Sequence, residues 1–172
     1  MFEYELNLIK NEEIRKTTEE LLKGVPEYFW HVPASSSGKY HPMYALGEGG
    51  LVRHTKAAVR FAEHLFALHD FMQIEKDYIV AALLLHDTFK QGKDEGHTVH
   101  EHPLLAAQYV RENADEEYAS EVCPLIEKHM GQWTTSQYSS VVLEEPEDEL
   151  EKFVHECDYL ASRRGIEVEL DE

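Results

Sequence analysis

Apolar residues recur at helical intervals along most of this chain. In "NEEIRKTTEELLKGV" (11–25), Ile14, Leu21 and Leu22 share a face and Gly24 follows the last periodic position, which predicts a helix. In "LVRHTKAAVRFAEHLFALHDF" (51–71), Val52, Ala58, Val59, Ala62, Leu65 and Phe66 predict a second. "EKDYIVAALLLHDTFK" (75–90) is apolar on most sides, the pattern of a helix at the centre of a core. Three more helices are predicted. One covers 101–114, with Pro103 in its first turn. Another covers 115–133, with a kink at Pro124. The last covers 147–165, acidic at its start and closed by Arg163, Arg164 and Gly165.

Between the first two helices, "PEYFWHVPASSSGKYHPMYALGEGG" (26–50) has no period. Its prolines, glycines and serines predict a long loop with short helical turns, and its aromatics predict that the loop is ordered. Loops of this length in a compact domain are usually functional. "QGKDEGHTVH" (91–100) and "TTSQYSSVVLEEP" (134–146) read as connectors, and "IEVELDE" (166–172) as a short edge strand or a frayed tail. No repeat and no βαβ alternation is present. The expected class is an all-α bundle of roughly five to seven helices in one domain over 1–172. A helix at about 10–25 and the loop 26–50 precede the core at 51–165.

Charge narrows the range of partners. The net charge is −18, which repels a long polyanion such as duplex DNA but admits a small anionic substrate where the site supplies its own positive charge. Metal ions would supply it, and the chain has 11 histidines. No apolar run is long enough to span a bilayer, and "MFEYELNLIKNEEIRK" lacks the basic-then-apolar order of a secretory signal. Cys123 and Cys157 are expected as buried thiols, and the cytoplasm as the address.

Candidate chemistry begins at His86–Asp87, where the apolar run "AALLL" ends. A buried, unpaired carboxylate is costly. A divalent ion held by imidazole and carboxylate would remove the cost, and such ligands suit Mn, Fe, Zn or Ni, with Mg also admissible. A hydrogen-bonded pair without metal is the plainer alternative. His54 on the preceding helix and Asp158 on the last are the available partners.

The order His, His-Asp, Asp on successive helices resembles the HD-domain metal-dependent phosphohydrolase superfamily. The resemblance runs from about Gly49 to Gly165 and is carried by "GGLVRHTKAA", "AALLLHDTFKQG", "HEHPLLAAQYV" and "CPLIEKHMGQW". It implies one metal on His54, His86, Asp87 and Asp158, and a second that shares Asp87 and adds His102 and His129. The chain also resembles the HD part of certain bacterial exoribonucleases and the small HD hydrolases of dinucleoside polyphosphates, and nothing in it reads as the Gly-Tyr-Pro motif of the HD-GYP subgroup. The implied activity is hydrolysis of a small phosphorylated substrate, expected to be a nucleotide, by a metal-activated water. A non-catalytic metal- and nucleotide-binding sensor and a di-iron oxygenase are the alternatives.

In that chemistry Asp87 would position the nucleophile. Lys90, three residues on and nearly on the same helix face, would reach a phosphate oxygen. "SSSGKYHP" (35–42) precedes the first metal histidine and is no Walker motif. Its Lys39 and His41, with Arg53, are the further substrate-binding candidates. Trp30, Tyr40 and Trp133 are candidates for stacking on a base, against the alternative of loop anchors. His97 and His100 compete with His102, which is preferred because a helix begins there. His64, His69 and His155 are expected at the surface, although His155 lies three residues before Asp158. The acidic run 144–151 is expected as a solvated face and helix start.

Overall fold

The computed structural model describes residues 1–35, 38–39, 41–166, 168 and 170. They form seven α-helices and no strand. The helices are α1 (Glu3–Leu8), α2 (Glu12–Lys23), α3 (Gly50–Leu65), α4 (Gln73–Leu85), α5 (His102–Asn113), α6 (Glu116–Glu127) and α7 (Glu149–Ala161). Short 3-10 turns lie at Glu27–Trp30 and Met43–Ala45 within the long loop, and at Phe66–Leu68 after α3. The fold is all-α, as its periodicity predicts. No described helix is long and apolar enough to cross a membrane.

α4 is the axis of the bundle. Every residue from Asp77 to Leu85 is buried, and α1, α2, α3, α6 and α7 all pack on it. α5 pairs with α6, and α3 with α7. The helix ends follow from local chemistry. Asn11 caps α2 by accepting from Glu13 N (2.9 Å) and Ile14 N (3.2 Å). Asp148 and Glu151 form a capping box at α7. Gly50 opens α3 against Ala45, whose carbonyl would lie 2.3 Å from any added Cβ, so only glycine lets the loop pack there. Cys123 and Cys157 are free and buried.

Several boundaries differ from the sequence reading, among them the ends of the helices expected over 51–71 and 147–165, which stop at Leu65 and Ala161. α1 was not anticipated. Phe2, Leu6 and Ile9 carry a helical spacing, and Phe2 and Ile9 are buried, but six residues are too few to register as a period. The helix expected over 75–90 ends at Leu85 and continues as turns closed by Thr88 N→Leu85 O, Lys90 N→Asp87 O and Gly92 N→Phe89 O. The helix expected over 115–133 passes Pro124 and ends at Glu127. In 166–172 the described residues form no strand, and Glu167, Glu169, Asp171 and Glu172 lie outside them.

One buried carboxylate away from the helix ends ties the N-terminal segment to the axis. Asp77 of α4 accepts from Lys10 N (2.9 Å), Asn11 N (2.8 Å) and Gln73 Nε2 (2.8 Å). Replacing it by alanine strands two backbone donors at the α1–α2 joint. Asp77→Ala is expected to lower unfolding stability by about 3 kcal/mol in urea denaturation, with an unchanged m-value. A loss below about 1 kcal/mol would contradict this role.

Candidate metal centre

Three histidines reach the site from helix ends in the same way. His86 caps the C-terminus of α4, and its Nδ1–H donates to Leu83 O at 2.6 Å. His102 opens α5 and donates from Nδ1 to Val99 O at 2.7 Å. His129 follows α6 and donates from Nδ1 to Ile126 O at 2.7 Å. A carbonyl only accepts, so each bond fixes the tautomer and leaves Nε2 facing the site. Thr88 Oγ1 donates to Leu85 O at 2.7 Å. His86 and Thr88 thus satisfy the last carbonyls of α4, which is why the helix stops where the His-Asp pair begins.

His54 of α3 and Asp158 of α7 complete a first group with His86 and Asp87. His54 Nε2 lies 2.8 Å from Asp158 Oδ1 and 3.6 Å from Asp87 Oδ2. His86 Nε2 lies 3.5 Å from each of the same oxygens. The second group is Asp87, His102 and His129. Here His102 Nε2 is 3.1 Å and His129 Nε2 3.7 Å from Asp87 Oδ1, and the two nitrogens are 3.3 Å apart. Asp87 therefore offers one oxygen to each group.

These distances fit divalent ions. Ligand atoms about 2.1 Å from one ion stand about 3.0–3.5 Å apart at ordinary coordination angles. Three buried atoms of the cluster residues, His54 Nδ1, His86 Nε2 and Asp87 Oδ1, have no hydrogen-bond partner among the described residues. In the second group Nδ1 of each imidazole is committed to a carbonyl and the two Nε2 atoms face each other at 3.3 Å, an arrangement that a shared cation relieves.

The electrostatics agree. Burial would lower the basicity of His86, but Asp87 and Asp158 beside it more than offset this and hold its pKa up at about 10, so positive charge is favoured at that nitrogen. His129 is pushed down to about 3 by burial and by His86, which keeps its lone pair available. Burial alone would raise Asp87 and Asp158, yet both are held well below the usual carboxylate range. Lys90 and His86 do this for Asp87, and His54 and His86 for Asp158.

The other candidates spread around this centre. Lys90 Nζ donates to Asp87 Oδ2 and its side chain is 16% exposed, so it stands at the mouth. His41 packs against His54 at a ring-centroid distance of 5.8 Å, and its buried Nδ1 has no hydrogen-bond partner among the described residues. Burial, with His54 and Lys90 alongside, pushes His41 down to about 4, so it is neutral. Arg53 turns to the loop: Nε donates to Tyr44 O and Nη2 to Leu46 O at 2.8 Å. Lys39 is exposed on that loop. Ser36, Ser37 and Tyr40 of the same stretch lie outside the described residues. Trp30 is far from stacking duty, packed on Phe2 and Phe29 at 5.8 and 5.0 Å. His97 is exposed, and His100 Nε2 bonds Thr134 O at 3.0 Å.

His155 corrects a sequence expectation. It is half-buried, and its Nδ1–H donates to the carbonyl of His129 at 2.7 Å. Gly131 (φ +61°) makes this possible, because an added Cβ there would meet the His155 ring at 2.2 Å. The three-residue spacing to Asp158 was the available signal. Tyr28 and Tyr44 were also missed. Tyr28 accepts from Gln91 N and donates to Gly92 O, which fixes the turn after Asp87. Tyr44 Oη donates to Ala161 O, which ties the loop to α7.

A family model described as HD domain matches residues 51–163. A dihydroneopterin 2′,3′-cyclic phosphate phosphodiesterase from Methanocaldococcus jannaschii is 30% identical over 155 residues, covering 77% of this chain. The chain spans 59% of that relative's length. No solved structure matches the chain.

The two groups predict separable metal loss. His102→Ala is expected to reduce bound transition metal from about two equivalents to about one by elemental analysis, and Asp87→Ala to remove both. Full metal content in Asp87→Ala would refute the assignment.

Proposed function

Because the chain belongs to the HD-domain family, we propose that it is a metal-dependent phosphohydrolase whose substrate is a small phosphodiester, with a nucleotide-like 2′,3′-cyclic phosphate as the favoured form. The observation that carries the reading is the buried Asp87, each of whose oxygens faces a different histidine group. When bound there, divalent ions would supply Lewis acidity to a water and to phosphoryl oxygens. The name of the relative supports a cyclic diester rather than a monoester.

The chain's own residues have definable parts in this reaction. His54, His86, Asp87 and Asp158 would hold one ion, and Asp87, His102 and His129 the other. The carbonyl bonds at Nδ1 hold the rings of His86, His102 and His129 with Nε2 toward the site before any substrate arrives, so little reorganisation remains. Lys90, at the mouth, moves from Asp87 toward a phosphoryl oxygen and stabilises the charge that gathers there. His41, a buried neutral imidazole, packs on His54 and can accept a hydrogen bond from a substrate hydroxyl, while the attacking water supplies the proton that the departing oxygen gains. The balance is that of hydrolysis: the water oxygen bonds to phosphorus, one ester P–O bond breaks, and the departing oxygen gains a proton. Arg53 contributes by fixing the loop that carries His41 and Lys39. The net charge of −18 supports a small substrate over a long nucleic acid.

The test is hydrolysis of guanosine 2′,3′-cyclic phosphate by the manganese-loaded protein, followed by phosphorus NMR. Metal-dependent opening to a monoester is expected, with a roughly 10²-fold lower rate and unchanged metal content in Lys90→Ala. Absence of turnover on cyclic diesters, acyclic diesters and monoesters by fully loaded protein would contradict the reading.

A further inference from the structure

An aromatic shelf stands on the segments that carry His129 and Asp158. Trp133 stands four residues after His129, and Tyr159 directly follows Asp158. Their rings stack at 5.7 Å with 13° between planes. His155 packs against both, at 5.8 Å from Trp133 and 6.1 Å from Tyr159, while its Nδ1–H holds the carbonyl of His129. The Arg163 guanidinium lies 4.3 Å from the Tyr159 ring centroid. The shelf is thus built on the two segments that deliver His129 and Asp158.

Burial separates this pair from an ordinary loop anchor. Trp30 shows what anchoring looks like here, with its ring packed among Phe2 and Phe29. Trp133 has one aromatic partner layer and remains 43% exposed. Its indole makes no hydrogen bond to the described residues. A backed and partly open π-face on the segments that carry His129 and Asp158 matches the requirement for holding a flat ring. Stacking also needs no positive charge, which this acidic chain has little of to offer.

We propose that Trp133, backed by Tyr159, is the subsite that stacks the planar heterocyclic ring of the phosphorylated substrate and so selects ring-bearing phosphates over bare sugar phosphates. The proposal rests on the phosphohydrolase reading above and narrows it to heterocycle-bearing substrates. His155 is a positioning residue in this arrangement, since it links the shelf to the backbone of a metal-ligating histidine.

The test compares binding of guanosine 5′-monophosphate and ribose 5-phosphate to manganese-loaded protein by calorimetry. The wild-type chain is expected to bind the nucleotide at least about tenfold more tightly. Trp133→Leu is expected to abolish that preference while leaving ribose 5-phosphate affinity within about twofold, which also reports an intact fold. Trp133→Phe retains most of the preference. Tyr159→Leu, which removes only the backing ring, lowers it partway. A wild-type protein with no preference, or a preference unaltered in both leucine variants, would overturn the subsite while leaving the phosphohydrolase reading in place. Binding of neither ligand by the wild-type protein would overturn the subsite, while the phosphohydrolase reading stands or falls on the hydrolysis of the cyclic diester.

Discussion

Everything at this site turns on one buried carboxylate. Asp87 is almost fully enclosed, and its two oxygens face in different directions, each toward a different pair of imidazoles. An ionised carboxylate in such surroundings is tolerated only with compensating charge. Lys90 supplies part of it from the mouth. His86 supplies part as well, its basicity held up by Asp87 and Asp158, and His102 and His129 turn Nε2 toward the other oxygen, where a cation between them would complete the compensation. Asp158 repeats the demand on the side of His54 and His86.

The bundle exists in the form that meets this demand. α4 is buried on all sides, so its C-terminus opens into the interior rather than into solvent. The start of α5 and the end of α6 are brought to the same place by their pairing, and α7 by packing on α3. At each of the three histidine-bearing ends, an imidazole closes on the carbonyl three residues earlier. One bond thereby does two things. It satisfies a carbonyl in or beside a helix end, and it aims Nε2. His155 adds a further layer by gripping the backbone of His129 across Gly131.

Much of this was legible in the amino-acid order. The apolar spacing located α3 and α4, and the break of "AALLL" by His86 and Asp87 marked the site. Resemblance supplied the six-ligand set, and the fold gathers all six positions. Other features depend on contacts between distant segments, which periodicity does not carry. α1 is held by burial of Phe2 and Ile9 rather than by its own length. α4 ends at Leu85 because His86 and Thr88 fold back on its carbonyls, which an apolar-run argument cannot anticipate. Arg53 sits beside His54 in sequence, yet its donors go to loop carbonyls. His155 was expected at the surface because its partner is a backbone oxygen with no side-chain signature.

The central claim is that Asp87 bridges two ions through its two oxygens. Anomalous diffraction from crystals of the manganese-loaded protein tests it most directly. The account predicts two peaks about 3.5–4 Å apart, one against His54, His86 and Asp158 and the other against His102 and His129, with Asp87 between them. A single peak, or two peaks that do not share Asp87, would contradict it.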